Sequence, residues 1–144
     1  MPIQTALVVD DSKSARIMLS RMLQKLDLVV SMVESGEEAI TFLANNSYPD
    51  TIFMDHMMPG MDGVETTKII SESADTSQIP IFMYTSKEGP EYESLAIEAG
   101  ANGLLGKPAK LERLNEIINK LNAASLSTDP NGTTETTPVP ELSP

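Results

Sequence analysis

Four stations along this chain hold side chains that can do chemistry together: the acids Asp10-Asp11, the acid Asp55, the hydroxyl of Thr85 and the ammonium of Lys107. Each directly follows a short, mostly apolar run: Ala6-Leu7-Val8-Val9, Thr51-Ile52-Phe53-Met54, Ile81-Phe82-Met83-Tyr84 and Gly103-Leu104-Leu105-Gly106. Runs of this length bounded by turn residues read as buried strands. Parallel strands end on one edge of their sheet, where open α/β sheets place ligands. Three carboxylates, a hydroxyl and an ammonium are therefore expected to converge there. Crowded carboxylates repel, so their titrations should be coupled and some pKa values raised unless a cation intervenes. Mg²⁺ suits such a site because it takes oxygen ligands and keeps several waters. A carboxylate can also act as a nucleophile toward phosphorus, a transfer that asks mainly for alignment and neutralised charge. Asp55, at the end of a central strand, is the candidate acceptor.

The intervening segments supply the helices that hold these strands. Ala15, Met18, Met22 and Leu26 keep a spacing of three to four, with Ser12 or Ser14 as N-cap. Leu28–Val33 reads as a second strand, and Ser35-Gly36-Glu37-Glu38 opens a second helix with glutamates suited to its N-terminal dipole. Val64, Thr67 and Ile70 line a third helix. Pro90–Ala99 forms a fourth, with Pro90 in its first turn and Gly100 as its stop. Leu111, Leu114, Ile117, Ile118 and Leu121 mark an amphipathic fifth. Strand and helix alternate five times, which predicts an α/β fold: a five-stranded parallel sheet, doubly wound, covered on both faces.

The chain has 144 residues, a formal charge of −11 and no cysteine. One domain is expected over residues 1–123. Residues 124–144 hold eight Ser or Thr and four Pro with little that is apolar, a composition expected to be a disordered tail or a linker cut from a longer chain. The acidic balance argues against direct nucleic-acid binding. No apolar run is long enough for membrane insertion and no basic leader opens the chain, so a cytoplasmic location is expected. Without cysteine, disulfides and thiolate metal sites are excluded. The glycines before Lys107 imitate a phosphate loop, but Ala101 and Pro108 stand where that motif needs Gly and Ser or Thr. His56 reads as a bystander, since strand alternation turns it away from Asp55.

Val8-Val9-Asp10-Asp11-Ser12, the stretch Met54-Asp55-His56-Met57-Met58-Pro59-Gly60-Met61-Asp62-Gly63, Thr85-Ser86 and Lys107-Pro108 closely resemble the receiver domain of two-component response regulators, over about residues 3–123. The resemblance implies a flavodoxin-like (βα)5 fold with strand order 2-1-3-4-5, an order the chemotaxis regulators share. It implies Asp55 as phosphoacceptor. Asp11, Asp55 and the Met57 backbone carbonyl would be direct ligands of Mg²⁺ (or Mn²⁺ in its place), with Asp10 acting largely through water. Lys107 would pair with the phosphate, Thr85 would move toward it, and Ser86 would admit the phosphoryl group. The Lys107-Pro108 bond is expected to be cis. Implied partners are a sensor histidine kinase or phosphotransfer protein, a downstream protein target and a phosphorylation-linked dimer. The domain would be no enzyme beyond its own phosphorylation and dephosphorylation.

The chain departs from the family pattern at Leu104, where an aromatic switch residue is common, so a ring rotation at that position is not available. Met57 and Lys87 occupy positions that tune phosphate lifetime. Two alternative functions would each ask for something different of the sequence. An aspartate-nucleophile phosphatase would need an acid–base carboxylate two residues after Asp55, where Met57 stands, and a cap for which no insertion is long enough. A receiver-like scaffold that is never phosphorylated would have no use for the intact acid, Thr and Lys set.

Overall fold

The computed structural model describes residues 3–86 and 89–127. Strands Thr5–Val9 (β1), Val29–Val33 (β2), Thr51–Asp55 (β3), Ile81–Thr85 (β4) and Gly103–Gly106 (β5) alternate with helices Lys13–Lys25 (α1), Gly36–Asn45 (α2), Gly63–Glu72 (α3), Pro90–Ala99 (α4) and Leu111–Ser127 (α5). The strands form one sheet in the order β2-β1-β3-β4-β5, with every pairing parallel. β3 and β4 are buried at every position, which is why they read as unbroken apolar runs. β2 lies at the sheet's edge, and Val29 there is 70 % exposed.

Alternation along the strands separates two cores. Ala6, Val8, Phe53, Phe82, Tyr84 and Leu105 face Leu19 and Leu23 of α1 and Leu114, Ile117 and Ile118 of α5. Leu7, Val9, Ile52, Met54, Ile81 and Met83 face Ala39 and Leu43 of α2, Ile70 of α3 and Ala96 of α4. This period-two division decides which side of the sheet each strand-end side chain reaches.

Helix ends follow local chemistry. The side chains of Ser12, Ser35 and Asp62 accept from the amides of Ala15, Glu38 and Glu65, each satisfying a donor that the first helical turn leaves open. Pro90 occupies the first turn of α4, and Gly100 ends it with φ of 110°, a left-handed conformation that favours glycine. α5 continues to Ser127, four residues past the expected domain boundary, through Ala123 and Ala124, which favour helix. The expected tail from residue 128 lies outside the described residues.

Candidate functional site

The parallel register gathers the strand ends. Val9 pairs with Met54, Asp55 with Tyr84, and Thr85 with Gly106. By alternation Asp10, Asp55, Tyr84 and Lys107 point toward the α1/α5 side, while Thr85 and Leu104 belong to the opposite one. Oxygens of Asp10, Asp11 and Asp55 lie within 4.8 Å of one another, with Asp10 and Asp55 buried and Asp11 exposed. Lys107 Nζ donates to Asp55 Oδ1 at 2.9 Å and meets Asp10 Oδ2 at 2.8 Å. Buried acid and cation thus partner each other, as burial of charge requires.

Backbone and side-chain bonds fix the acids further. Asp10 Oδ1 accepts from the Ser12 amide at 2.9 Å, and its carbonyl accepts from Arg16 Nη1 at 2.7 Å. The Lys107 amide donates to the Thr85 carbonyl at 3.0 Å, tying the two strand ends together. The loop after Asp55 turns back tightly: the Gly63 amide donates to the His56 carbonyl at 2.9 Å. A Cβ on Gly63 would run into the Asp55 carbonyl oxygen. Glycine there is a steric requirement of the loop that follows the acid.

Burial decides the protonation chemistry. Asp55 is pushed up to about 6, first by desolvation; the hydrogen bond from Lys107 opposes this and the Asp10 charge adds to it. The expected rise is present, but burial outweighs the repulsion between carboxylates as its cause. For Lys107, desolvation favours the neutral amine, yet Asp10 and Asp55 together outweigh it and hold the ammonium above its ordinary value. The ammonium also lies over the Tyr84 ring, 4.9 Å from its centroid.

The site residues expected from sequence fall as follows. Asp10, Asp11, Asp55 and Lys107 come together directly. Thr85 is 4 % exposed at the end of β4, and Leu104 packs partly buried against the α2/α3/α4 core. Ser86 is exposed. The Met57 side chain is 61 % exposed, and Lys107-Pro108 is cis. Lys87 lies outside the described residues. His56 turns from the acids and meets Tyr92 of α4, ring centroids 6.2 Å apart. Arg16 and Tyr84 were not singled out in the sequence. Arg16 sits one turn into α1, where a cation is normally unfavourable, and Tyr84 is the register neighbour of Asp55.

A family model for the response regulator receiver domain matches residues 6–119. The chain belongs to this family. Receiver domains are phosphorylation-activated signalling modules of two-component systems that take phosphoryl groups from histidine kinases, and are phosphoacceptors rather than typical enzymes. Protein PilH of Pseudomonas aeruginosa is 34% identical over 117 residues, covering 81% of this chain and 96% of PilH. Response regulator MprA of Mycobacterium sp. is 33% identical over 131 residues, covering 91% of this chain but 54% of MprA. The chain thus spans nearly all of one relative and about half of another. The chemotaxis protein CheY4 of Vibrio cholerae superposes with a TM-score of 0.76 at 32% identity, covering 83% of this chain and 98% of CheY4. The receiver's strand order and five helices make it flavodoxin-like.

Proposed function

We propose that this receiver accepts a phosphoryl group on Asp55 from a phosphohistidine of a sensor kinase or phosphotransfer protein. The observation that carries the reading is Lys107 Nζ, 2.9 Å from Asp55 Oδ1, beside two further acids. A carboxylate oxygen of Asp55 attacks phosphorus, forming the acyl-phosphate P–O bond. The donor's P–N bond breaks, and its electron pair leaves with the imidazole. Lys107 orients the carboxylate and then neutralises a phosphate oxygen. Thr85 offers a hydroxyl from the opposite side, and exposed Ser86 leaves room for the group.

Mg²⁺ fits the residues present, because Asp10, Asp11 and Asp55 offer three hard oxygen donors in one cluster. Asp11 and Asp55 would hold it directly with the Met57 carbonyl, and Asp10 through water; Mn²⁺ has the same ligand preference. When bound, the ion supplies positive charge that offsets the crowded carboxylates and the incoming phosphate. Autophosphorylation from small donors and self-catalysed dephosphorylation would proceed at this same site. Output would run through altered contacts of the α4–β5–α5 face with a protein target, with dimerisation a further consequence. No helix among the described residues is long and apolar enough to cross a membrane; together with the family's kinase-fed chemistry, this supports a cytoplasmic location.

Incubation with Mg²⁺ and acetyl phosphate tests the reading by intact-mass spectrometry. One adduct of about 80 Da is expected, the mass of an acyl-bound phosphoryl group, lost with EDTA and in Asp55→Asn. A folded protein that gains no adduct from acetyl phosphate or from any phosphohistidine donor would overturn it.

A further inference from the structure

Lys107 is the basic side chain that meets the buried carboxylates of Asp10 and Asp55, and it is a long, flexible one. Its two carboxylate partners, Asp10 and Asp55, hold the ammonium at 2.8 and 2.9 Å, and Tyr84 meets it from a third direction. This residue is 2 % exposed and packs within the α1/α5 core, on the strand position paired with both Asp55 and Leu105. β4 thus carries Tyr84 between the acceptor's strand and the strand that leads to Lys107, and the ammonium lies over its ring, 4.9 Å from the centroid.

We propose that Tyr84 is a positioning residue for phosphoryl transfer: its ring face seats the Lys107 ammonium so that it stays directed at Asp55. The inference rests on the receiver reading and goes beyond it. The ring offers the cation a partner without a competing negative charge. Lys107 can therefore turn from Asp55 Oδ1, which attacks phosphorus, to an oxygen of the phosphoryl group while remaining held by the ring. An aliphatic side chain at position 84 would offer the ammonium no such seat.

Substitution of so buried a ring by an aliphatic residue perturbs packing, so the test keeps the shape and varies the ring's electrostatics. Tyr84 is replaced by phenylalanine and then by singly, doubly and triply fluorinated phenylalanines, which weaken the attraction of the ring face stepwise. Loading in Tyr84→Phe, which keeps the ring face and loses the hydroxyl, is the reference, and acetyl-phosphate loading is expected to fall progressively from it across the fluorinated series. The total change should be about 2- to 30-fold, the span of a partly desolvated cation–π contact. In a Lys107→Met background the series should be flat, an outcome that a packing role would not produce. In parallel, the Lys107 side-chain methylene resonances of the unphosphorylated protein should lie upfield of the other lysines and move back with fluorination. A flat series with Lys107 present, or an equal slope in Lys107→Met, overturns the proposal, as do unshifted Lys107 resonances. If wild type takes no phosphoryl group, the receiver reading fails instead, and the resonances alone decide whether Tyr84 seats the lysine.

Discussion

Replacing Asp55 by asparagine should stabilise the metal-free protein at neutral pH. Folding moves this carboxyl from its ordinary 3.8 to about 6, so the folded state resists ionisation that the unfolded chain accepts freely. At 1.36 kcal/mol per unit, the difference sets a ceiling of about 3 kcal/mol against the folded state at pH 7.5. Its sign is opposite to that of a salt-bridged carboxylate: between about pH 4 and pH 6 the folded state binds more protons than the unfolded one, so this group's contribution to stability rises as pH falls. The favourable pull of Lys107 is already inside that figure. Solvent relaxation at the sheet edge reduces it, leaving about 1–2 kcal/mol for Asp55→Asn. For a domain of this size that is about 3–8 °C in Tm. Thermal melts in EDTA at pH 7.5 should show the gain, and the gap should close as pH is lowered from about 6 toward 4. Saturating Mg²⁺ should also close it, since wild type then gains RT ln(1 + [Mg²⁺]/Kd) and the variant has lost a ligand. A variant no more stable than wild type in EDTA, or a gap that does not change with pH, would refute the burial argument.

Three further outcomes follow from the same geometry. Lys107→Met removes the shared cation from two buried acids and should cost about 1–3 kcal/mol in metal-free melts, while slowing acetyl-phosphate loading at least tenfold. Gly63→Ala drives a methyl group into the Asp55 carbonyl; denaturant titration should show a loss of about 2 kcal/mol or more, and loading should slow because the loop beside the acceptor must shift. Mg²⁺ affinity, followed by calorimetry, should fall as pH drops below about 6, the value to which Asp55 is raised, because binding must then expel a proton.

The strands and the shared edge were legible because burial on both faces leaves β3 and β4 as plain apolar runs, and because parallel strands bring their ends together whatever the sheet order. α4 could be bounded to the residue, since Pro90 and Gly100 act through backbone geometry. The cap of α3 was hidden: Asp62 lies in a turn-rich stretch where any of several residues could have started the helix. The face on which each strand-end residue lands needs the register between strands, so in the sequence Tyr84 is one more apolar-run residue, and only the pairing with Asp55 sets it apart. Arg16 breaks the usual dipole preference at a helix start, and its reason, the Asp10 carbonyl, exists only after folding. Desolvation, the largest cause of the Asp55 rise, was hidden for the same reason: clustered acids announce repulsion in a sequence, which adds to the rise, whereas desolvation belongs to the folded surface.

The account turns on one covalent bond, and borohydride trapping reads it directly. Protein loaded with phosphohistidine donor and Mg²⁺ is reduced, which converts an acyl phosphate into an alcohol, and its peptides are sequenced by tandem mass spectrometry. The account expects homoserine at position 55 alone, a loss of about 14 Da at that residue, as reduction of an acyl-phosphate intermediate requires. Reduction at Asp10 or Asp11 with Asp55 untouched would contradict it, as would a stably phosphorylated Thr85, Ser86 or His56 in place of any reducible aspartate.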